Sequence, residues 1–375
     1  MVTDLPARSL AEVFAGKRVL ITGHTGFKGS WLVRWLLKLG AQVAGVSRDV
    51  PTDPAMFVEL ALQRRVSHHQ VDIRDLAALR AVFAHERPEF VFHLAAQAIV
   101  SISYRDPIET ISTNAIGTMN VLECLRHLAQ PCCAVLITSD KCYDNMEWVW
   151  GYRETDALGG RDIYSGSKGA AELLIKCYLH SFMMAPDFPV RVAIGRAGNV
   201  IGGGDWAQDR IVVDCMRAWN RNEPVEIRSP QATRPWQHVL EPLSGYLCLA
   251  RALAATSALH GEAFNFGPRA ECSHTVLELL SDLGRRFALE QRQVYRVTGN
   301  VPFHESGLLK LNCDKALYHL GWRATWEYED TIRQVSDWYY EFYRGSRQRL
   351  DALTIEQIEA YELAARDRGI AWARP

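Results

Sequence analysis

The chain has 375 residues, with 42 Lys and Arg set against 43 Asp and Glu for a formal net charge of −1. So even a balance offers no extended field to a nucleic acid or an anionic membrane, and any anionic ligand must be held by local cations. The 9 cysteines contain no CxxC pair, which argues against a disulfide framework or a thiolate metal site and for reduced thiols in the cytoplasm. A buried parallel strand is predicted at Val19–Ile21, breaking into a turn with Gly23, Gly26 and Gly29 and then a helix from Phe27 to Leu39. Glycines suit a turn in which backbone approaches a pyrophosphate and a helix packs closely on its strand, with the helix N-terminus favouring the anion. The spacing is GxxGxxG, not the GxGxxG of classical dehydrogenases.

A second strand, Gln42–Ser47, ends in Ser47-Arg48-Asp49. An acidic residue there suits the adenosine ribose hydroxyls, whereas an arginine accommodates a 2′-phosphate, so NAD and NADP both stay open. His69–Ile73 is predicted as a third strand, with Asp72 set to meet the adenine edge, followed by a helix over Leu76–His85. Phe90–Ala96 is a fourth strand ending in small residues, Val135–Ser139 a fifth and Val190–Ile194 a sixth. Strands alternating with helices predict an α/β fold, a doubly wound parallel sheet of Rossmann type. The glycine-rich stretch Arg196–Trp206 marks a domain crossing. The expected division is a dinucleotide domain at 1–195 with a return at about 237–267, and a smaller, mostly helical substrate domain at 196–236 and 268–375. Within it Ile211–Asn222 is predicted helical, Tyr328–Tyr343 forms an aromatic packing helix, and Ile355–Arg368 an amphipathic surface helix. Residues 237–254 and Ala263–Gly267 are expected to return to the sheet. No run of about 18 apolar residues occurs and residues 1–15 lack an apolar leader, so no membrane span or export signal is expected.

The chemistry concentrates after the fifth strand. Tyr164-Ser-Gly-Ser-Lys168 puts a phenol and an ammonium one helical turn apart on one face. The cation is expected to draw the phenol pKa down from about 10, making Tyr164 a base for a sugar hydroxyl. Ser139 is expected to hydrogen-bond the same hydroxyl, with Thr138 as the alternative. Asp140-Lys141 lies at the carboxyl end of the same strand, where ligands of open α/β sheets sit. A simple redox enzyme or epimerase needs no such additional acid and base, so a second proton transfer is implied. An exposed turn ion pair is the structural alternative.

These residues resemble the extended short-chain dehydrogenase/reductases and, within them, the CDP-D-glucose 4,6-dehydratases. The resemblance rests on Gly23–Leu32, Thr138-Ser-Asp-Lys-Cys-Tyr143, Trp148–Glu154, Leu158–Ser165, Arg196–Trp206 and Arg234-Pro-Trp-Gln-His-Val239. Related dehydratases carry Asp-Glu where this chain has Asp140-Lys141. Gly166 stands where the family has alanine, a change expected to affect packing more than chemistry. The resemblance implies that Tyr164 takes the C4 hydroxyl proton as hydride passes to the nicotinamide. Neutral Lys141 then removes the C5 proton, protonated Asp140 donates to the departing C6 hydroxyl, and hydride returns to C6. It further implies catalytic Ser139, Asp140, Lys141, Tyr164 and Lys168. The dinucleotide, NAD or with Arg48 NADP, would lie on Gly23, Thr25, Gly26, Phe27, Lys28, Gly29, Arg48, Asp72, Ile73, Leu94, Ala95 and Ala96, besides Tyr164 and Lys168. The CDP-sugar would be held by Gln97, Asn114, Arg196, Asn199, Arg234 and His238, the arginines suiting a pyrophosphate by bidentate contact. An interdomain salt bridge is the structural alternative for Arg196 and Arg234, and a structural role the alternative for His238. No metal is implied. Helices at Thr113–Leu128 and Gly166–Phe182, the second offering Ala170, Leu173, Leu174, Cys177 and Tyr178, imply a homodimer. An epimerase or reductase on a nucleotide sugar, and a non-catalytic NAD(P)-sensing protein of the same fold, are the competing readings.

Overall fold

The computed structural model describes residues 8–227, 229–269, 271, 274–287, 295–298 and 308–374. Its strands in chain order begin with β1 (Arg18–Thr22), β2 (Gln42–Ser47), β3 (Ser67–Gln70), β4 (Phe90–His93), β5 (Cys132–Ile137) and β6 (Val190–Ala197). With Ala263–Phe266 beyond β6, they form a 7-stranded sheet in the order Ala263–Phe266, β6, β5, β4, β1, β2, β3. Every pairing in it is parallel. The chain leaves β1 in one direction through β2 and β3, then crosses back to β4 and builds outward to the opposite edge. That reversal between β1 and β4 opens a crevice at the carboxyl ends of the strands.

Central strands buried on both faces are largely apolar; β1 and β4 leave only Arg18 exposed, and their two buried polar residues, Thr22 and His93, hydrogen-bond each other at 2.6 Å. The third strand departs from the expectation: it spans Ser67–Gln70, and Asp72 and Ile73 lie in the turn beyond it. As an edge strand of Ser, His and Gln, it carries no apolar alternation from which its position could be read.

The helix Phe27–Lys38 starts at Gly26 and buries Trp31, Leu32, Trp35 and Leu36 against the core. The helix Leu350–Asp367 packs on it, burying Leu350, Thr354, Ile358, Tyr361 and Ala365, positions that recur every three to four residues along one face. Arg34 Nε meets Asp351 at 2.7 Å, and Glu362 receives both Trp35 Nε1 and Lys38 Nζ at 2.8 Å. The aromatic helix spans Tyr328–Arg344 and buries Trp338, Tyr339 and Phe342, as packing rather than as a binding face.

One expected segment has a different form. Residues Leu240–Ala255 do not return to the sheet: they make a helix, buried on nearly every side, against β5 and β6. An apolar run buried all round has no periodicity to separate helix from strand, although its 16 residues exceed the usual strand length. Gln237–His238 pairs with Val200–Ile201 outside the main sheet, and Ala263–Phe266 alone of this segment joins it. Among the described residues no cysteines are bridged, and no helix is long and apolar enough to cross a membrane.

Candidate active site

The crevice between β1 and β4 holds a cleft of about 810 Å³. Its floor is the glycine turn. Gly23 has φ +78°, and a Cβ there would stand 2.7 Å from Ala95 N, so the β4 loop can approach glycine alone. A Cβ on Gly29 would stand 2.1 Å from Gly23 O, which holds the first turn of the helix tight on the loop. Gly26 starts that helix without a side-chain cap, leaving its first N–H groups to serve an anion. Thr25 Oγ1 donates to the Asp49 carbonyl at 2.7 Å and ties the turn to the end of β2. All the residues assigned above to the dinucleotide line this cleft, from Gly23 to Ala96. A glycine cradle and an uncapped helix start fit a dinucleotide pyrophosphate.

At the end of β5, Thr138 and Ser139 lead into a single tight turn, Asp140–Cys142. Ser139 Oγ caps it, accepting Lys141 N–H at 3.2 Å, and donates to Asp140 Oδ1 at 2.8 Å. Tyr164 and Lys168 project from the helix Ile163–Tyr178, whose start is fixed by the Asp162 side chain accepting Ser165 N–H at 2.9 Å. Lys168 Nζ lies 5.9 Å from the centre of the Tyr164 ring. Ser139, Lys141, Tyr164 and Lys168 share the cleft. Asp140 is buried behind Ser139 and does not line it; a Cβ on Gly198 would stand 3.2 Å from its Oδ2. The Lys141 ammonium has no hydrogen-bond or ion-pair partner among the described residues. A Cβ at Gly166 would meet nothing within 4 Å, so the glycine there relieves no crowding.

The electrostatics correct one expectation. Tyr164 is not lowered but pushed up to about 12, because burial disfavours phenolate more than Arg210 and the Ser139 hydrogen bond favour it. Burial likewise pushes Lys168 down to about 8, and Lys28 to about 8 with Arg210 contributing. The cleft is therefore crowded with cations.

The residues assigned to the sugar nucleotide divide. Asn199 and Gln97 line the cleft. Asn114 is buried below it: its side chain accepts Gln97 N–H at 2.8 Å and donates to Gln97 O at 3.0 Å and Ser167 Oγ at 2.8 Å, and so supports the Gln97 loop. Arg196 is fully buried in a bidentate pair with Glu172, at 2.8 and 2.9 Å, and donates to Tyr143 Oη and the Glu154 carbonyl; it holds the interior together and does not reach the cleft. His238 is also buried, its ring edge-on to Trp31 and packed against Trp326, with Nδ1 accepting Leu240 N–H. Arg234 donates to the Thr233 carbonyl in a short strand pair with His274–Thr275, outside the cleft lining. The cations that do line this end are Arg210 and Arg217. Arg210 Nε is buried without a hydrogen-bond partner among the described residues. Neither belongs to a glycine or Tyr-Lys pattern, so no spacing pointed to them. Glu172 was signalled: it follows Lys168 by four residues, on the face that carries Tyr164.

A family model described as GDP-mannose 4,6 dehydratase matches residues 20–335. The chain belongs to this family. It is 46% identical over 333 residues to the CDP-glucose 4,6-dehydratase of Salmonella typhimurium, covering 88% of this chain and 92% of that protein. The dTDP-glucose 4,6-dehydratase 1 of Escherichia coli K12 is 24% identical, over 86% of this chain and 92% of its own length. Among solved structures, the dTDP-glucose 4,6-dehydratase DesIV of Streptomyces venezuelae, with NAD and TYD bound, superposes with a TM-score of 0.74 at 21% identity, covering 90% of this chain and 99% of that one. The UDP-glucose 4-epimerase of Thermus thermophilus in complex with NAD gives 0.72 at 25% identity, over 88% and 99%. The fold is that of the extended short-chain dehydrogenase/reductases, as the motifs implied.

The buried pair gives a test of its own. Removing the charge of Glu172 leaves the Arg196 guanidinium uncompensated, at a cost of about 3–5 kcal/mol. Glu172→Gln is therefore expected to lower the denaturant midpoint strongly, and Glu172→Gln with Arg196→Met to recover part of the loss. Equal midpoints for wild type and Glu172→Gln in chemical denaturation contradict this.

Proposed function

We propose that the chain dehydrates CDP-D-glucose to CDP-4-dehydro-6-deoxy-D-glucose, with NAD as a cofactor regenerated in each turnover. The observation that carries the reading is the convergence in one cleft of the Tyr164–Lys168 pair and the Lys141 side chain, unpartnered among the described residues, which as the neutral amine provides for a second proton transfer beyond oxidation at C4. The similarity to the Salmonella typhimurium CDP-glucose 4,6-dehydratase supplies the substrate, and the NAD-bound relatives supply the cofactor. Bound dinucleotide, held by the glycine turn and the residues that line the cleft with it, would supply the redox chemistry and a positive charge.

The chain's own residues then have distinct tasks. With its phenol raised to about 12 by burial, Tyr164 accepts the C4 hydroxyl proton as the phenolate that the positive charges of Lys168 and bound NAD would favour, while Ser139 Oγ orients that hydroxyl. Lys168, brought down to about 8 by burial, favours the phenolate of Tyr164 with its positive charge. Lys141 removes the C5 proton made acidic by the 4-ketone. Asp140, protonated, furnishes the proton for the departing C6 hydroxyl; passing it over Ser139 Oγ requires the hydrogen bond in which Ser139 now donates to Asp140 to reverse. Lys28, Arg210 and Arg217 hold pyrophosphate charge, the part the sequence had given to Arg196 and Arg234.

We further propose a homodimer built on the helices Gly117–Arg126 and Ile163–Tyr178. Ile108, Leu173 and Phe182, which lie on or beside them, are 78%, 55% and 49% exposed, and Ala170, Leu174 and Cys177 extend the same surface. Light scattering at micromolar concentration is expected to give twice the chain mass; a monomer there removes the idea.

A general base contributes about 10²–10⁴ in rate. Lys141→Ala is expected to lower turnover by that amount yet still oxidise C4, so that reduced nicotinamide accumulates in absorbance and the C5 hydrogen exchanges slowly in heavy water. Asp140→Asn is expected to keep C5 exchange and slow loss of the C6 hydroxyl. Dehydration at the parent rate by Lys141→Ala makes the lysine a turn residue and the roles wrong.

A further inference from the structure

At the outer end of the cleft, past β2 and β3, lies a chain of ion pairs that neither the proton chemistry nor the pyrophosphate uses. Arg48 donates from Nε to Asp49 Oδ2 at 3.0 Å and from Nη1 to Glu109 Oε1 at 2.5 Å. Arg74 is held by both oxygens of Asp72, at 2.6–3.1 Å, and pairs with the other oxygen of Glu109. Glu109 sits on the short helix Pro107–Ile111, its backbone N–H fixed by the Asp106 side chain at 2.9 Å. It therefore spans two guanidiniums from two different strand ends. Arg48, Asp49, Asp72 and Glu109 all line the cleft.

Doubly wound folds place the adenosine ribose at the end of the second strand, where an acid accepts the 2′-hydroxyl and an arginine admits a 2′-phosphate. Arg48 stands in that place, but two of its nitrogens are already committed to carboxylates. The cluster sets three carboxylates against two guanidiniums, so a 2′-phosphate of about −2 charge would meet net negative charge and have to strip Arg48 from its partners. A neutral ribose diol meets no such obstacle, and Asp49 keeps an oxygen for it. Arg74 holds the Asp72 carboxyl below its usual range, so that acid stays ionised.

We propose that Glu109 determines the choice of dinucleotide: by holding Arg48 and bridging it to Arg74, it keeps the one arginine at the ribose position from receiving a 2′-phosphate and selects NAD over NADP. This rests on the reading of the cleft as a dinucleotide site. Glu109 acts through Arg48 and needs no contact with the cofactor.

Calorimetric binding of NAD and of NADP to the full-length chain, freed of retained dinucleotide, tests the proposal through the ratio of the two affinities. Wild type is expected to favour NAD. Glu109→Gln is isosteric at a side chain 25% exposed, so folding is not at stake. It is expected to move the ratio toward NADP by about tenfold or more, the worth of one freed charge-assisted contact. Adding Arg48→Ala is expected to cancel that shift, and Arg48→Ala alone to leave the preference for NAD in place. A ratio unmoved by Glu109→Gln, a shift that survives the loss of Arg48, or a wild type that favours NADP overturns the proposal. Failure of the wild-type chain to bind either dinucleotide overturns the cofactor reading beneath it.

Discussion

The Glu172–Arg196 pair joins four parts of the chain that have to meet for the cleft to exist. Glu172 comes from the helix of Tyr164 and Lys168, and Arg196 from β6. Thr138 Oγ1, next to Ser139 at the end of β5, donates to Glu172 Oε1 at 2.5 Å, and Tyr143 Oη, just past Lys141, accepts from Arg196 at 2.7 Å. Tyr143 passes the connection to Asn265 Oδ1 on the edge strand at 2.8 Å. Burying two full charges is costly unless each is saturated with partners, and here each is. The arrangement tolerates little variation in where the helix sits on the sheet. Because Tyr164 and Lys168 lie about two turns and one turn before Glu172, their positions relative to Ser139 are set by the same contacts.

Above that layer the cleft presents the opposite situation. Lys28, Lys141, Lys168 and Arg210 line it without a carboxylate salt bridge among the described residues. Burial destabilises the charged forms of Lys28 and Lys168 and holds both at about 8. A site of this kind is incomplete until anions fill it, and two pyrophosphates, from cofactor and sugar nucleotide, answer that need. At the ribose end the balance reverses, with carboxylates in excess. The same cleft thus attracts phosphate at its centre and repels it at one rim, using local pairs in a chain whose net charge is only −1.

Much of this was legible before any coordinates. The glycine spacing, the small residues after β4 and the Tyr164–Lys168 interval report backbone approach and one-turn geometry, both local properties of sequence. The last helix was legible for the same reason, its buried positions recurring at helical period, although it was expected at Ile355–Arg368 and begins five residues earlier, at Leu350. What was not legible depends on three-dimensional neighbours. Arg196 looked like an anion ligand because its partner Glu172 is 24 residues away and becomes its neighbour only when the helix packs on β6. His238 and the helix Leu240–Ala255 were misjudged because complete burial erases the polar–apolar contrast that distinguishes an interior element from a site. The phenol pKa was expected to fall because one cation was counted; burial, which sequence does not show, outweighs it.

The account's central claim is that oxidation at C4 and reduction at C6 are two halves of one closed cycle in a single cleft. CDP-glucose carrying deuterium at C4, turned over in ordinary water, tests it most directly. The account predicts a product that has lost water and carries the deuterium at C6, with no exchange of label between labelled and unlabelled substrate molecules. Deuterium retained at C4, or absent from C6 of a dehydrated product, would contradict it.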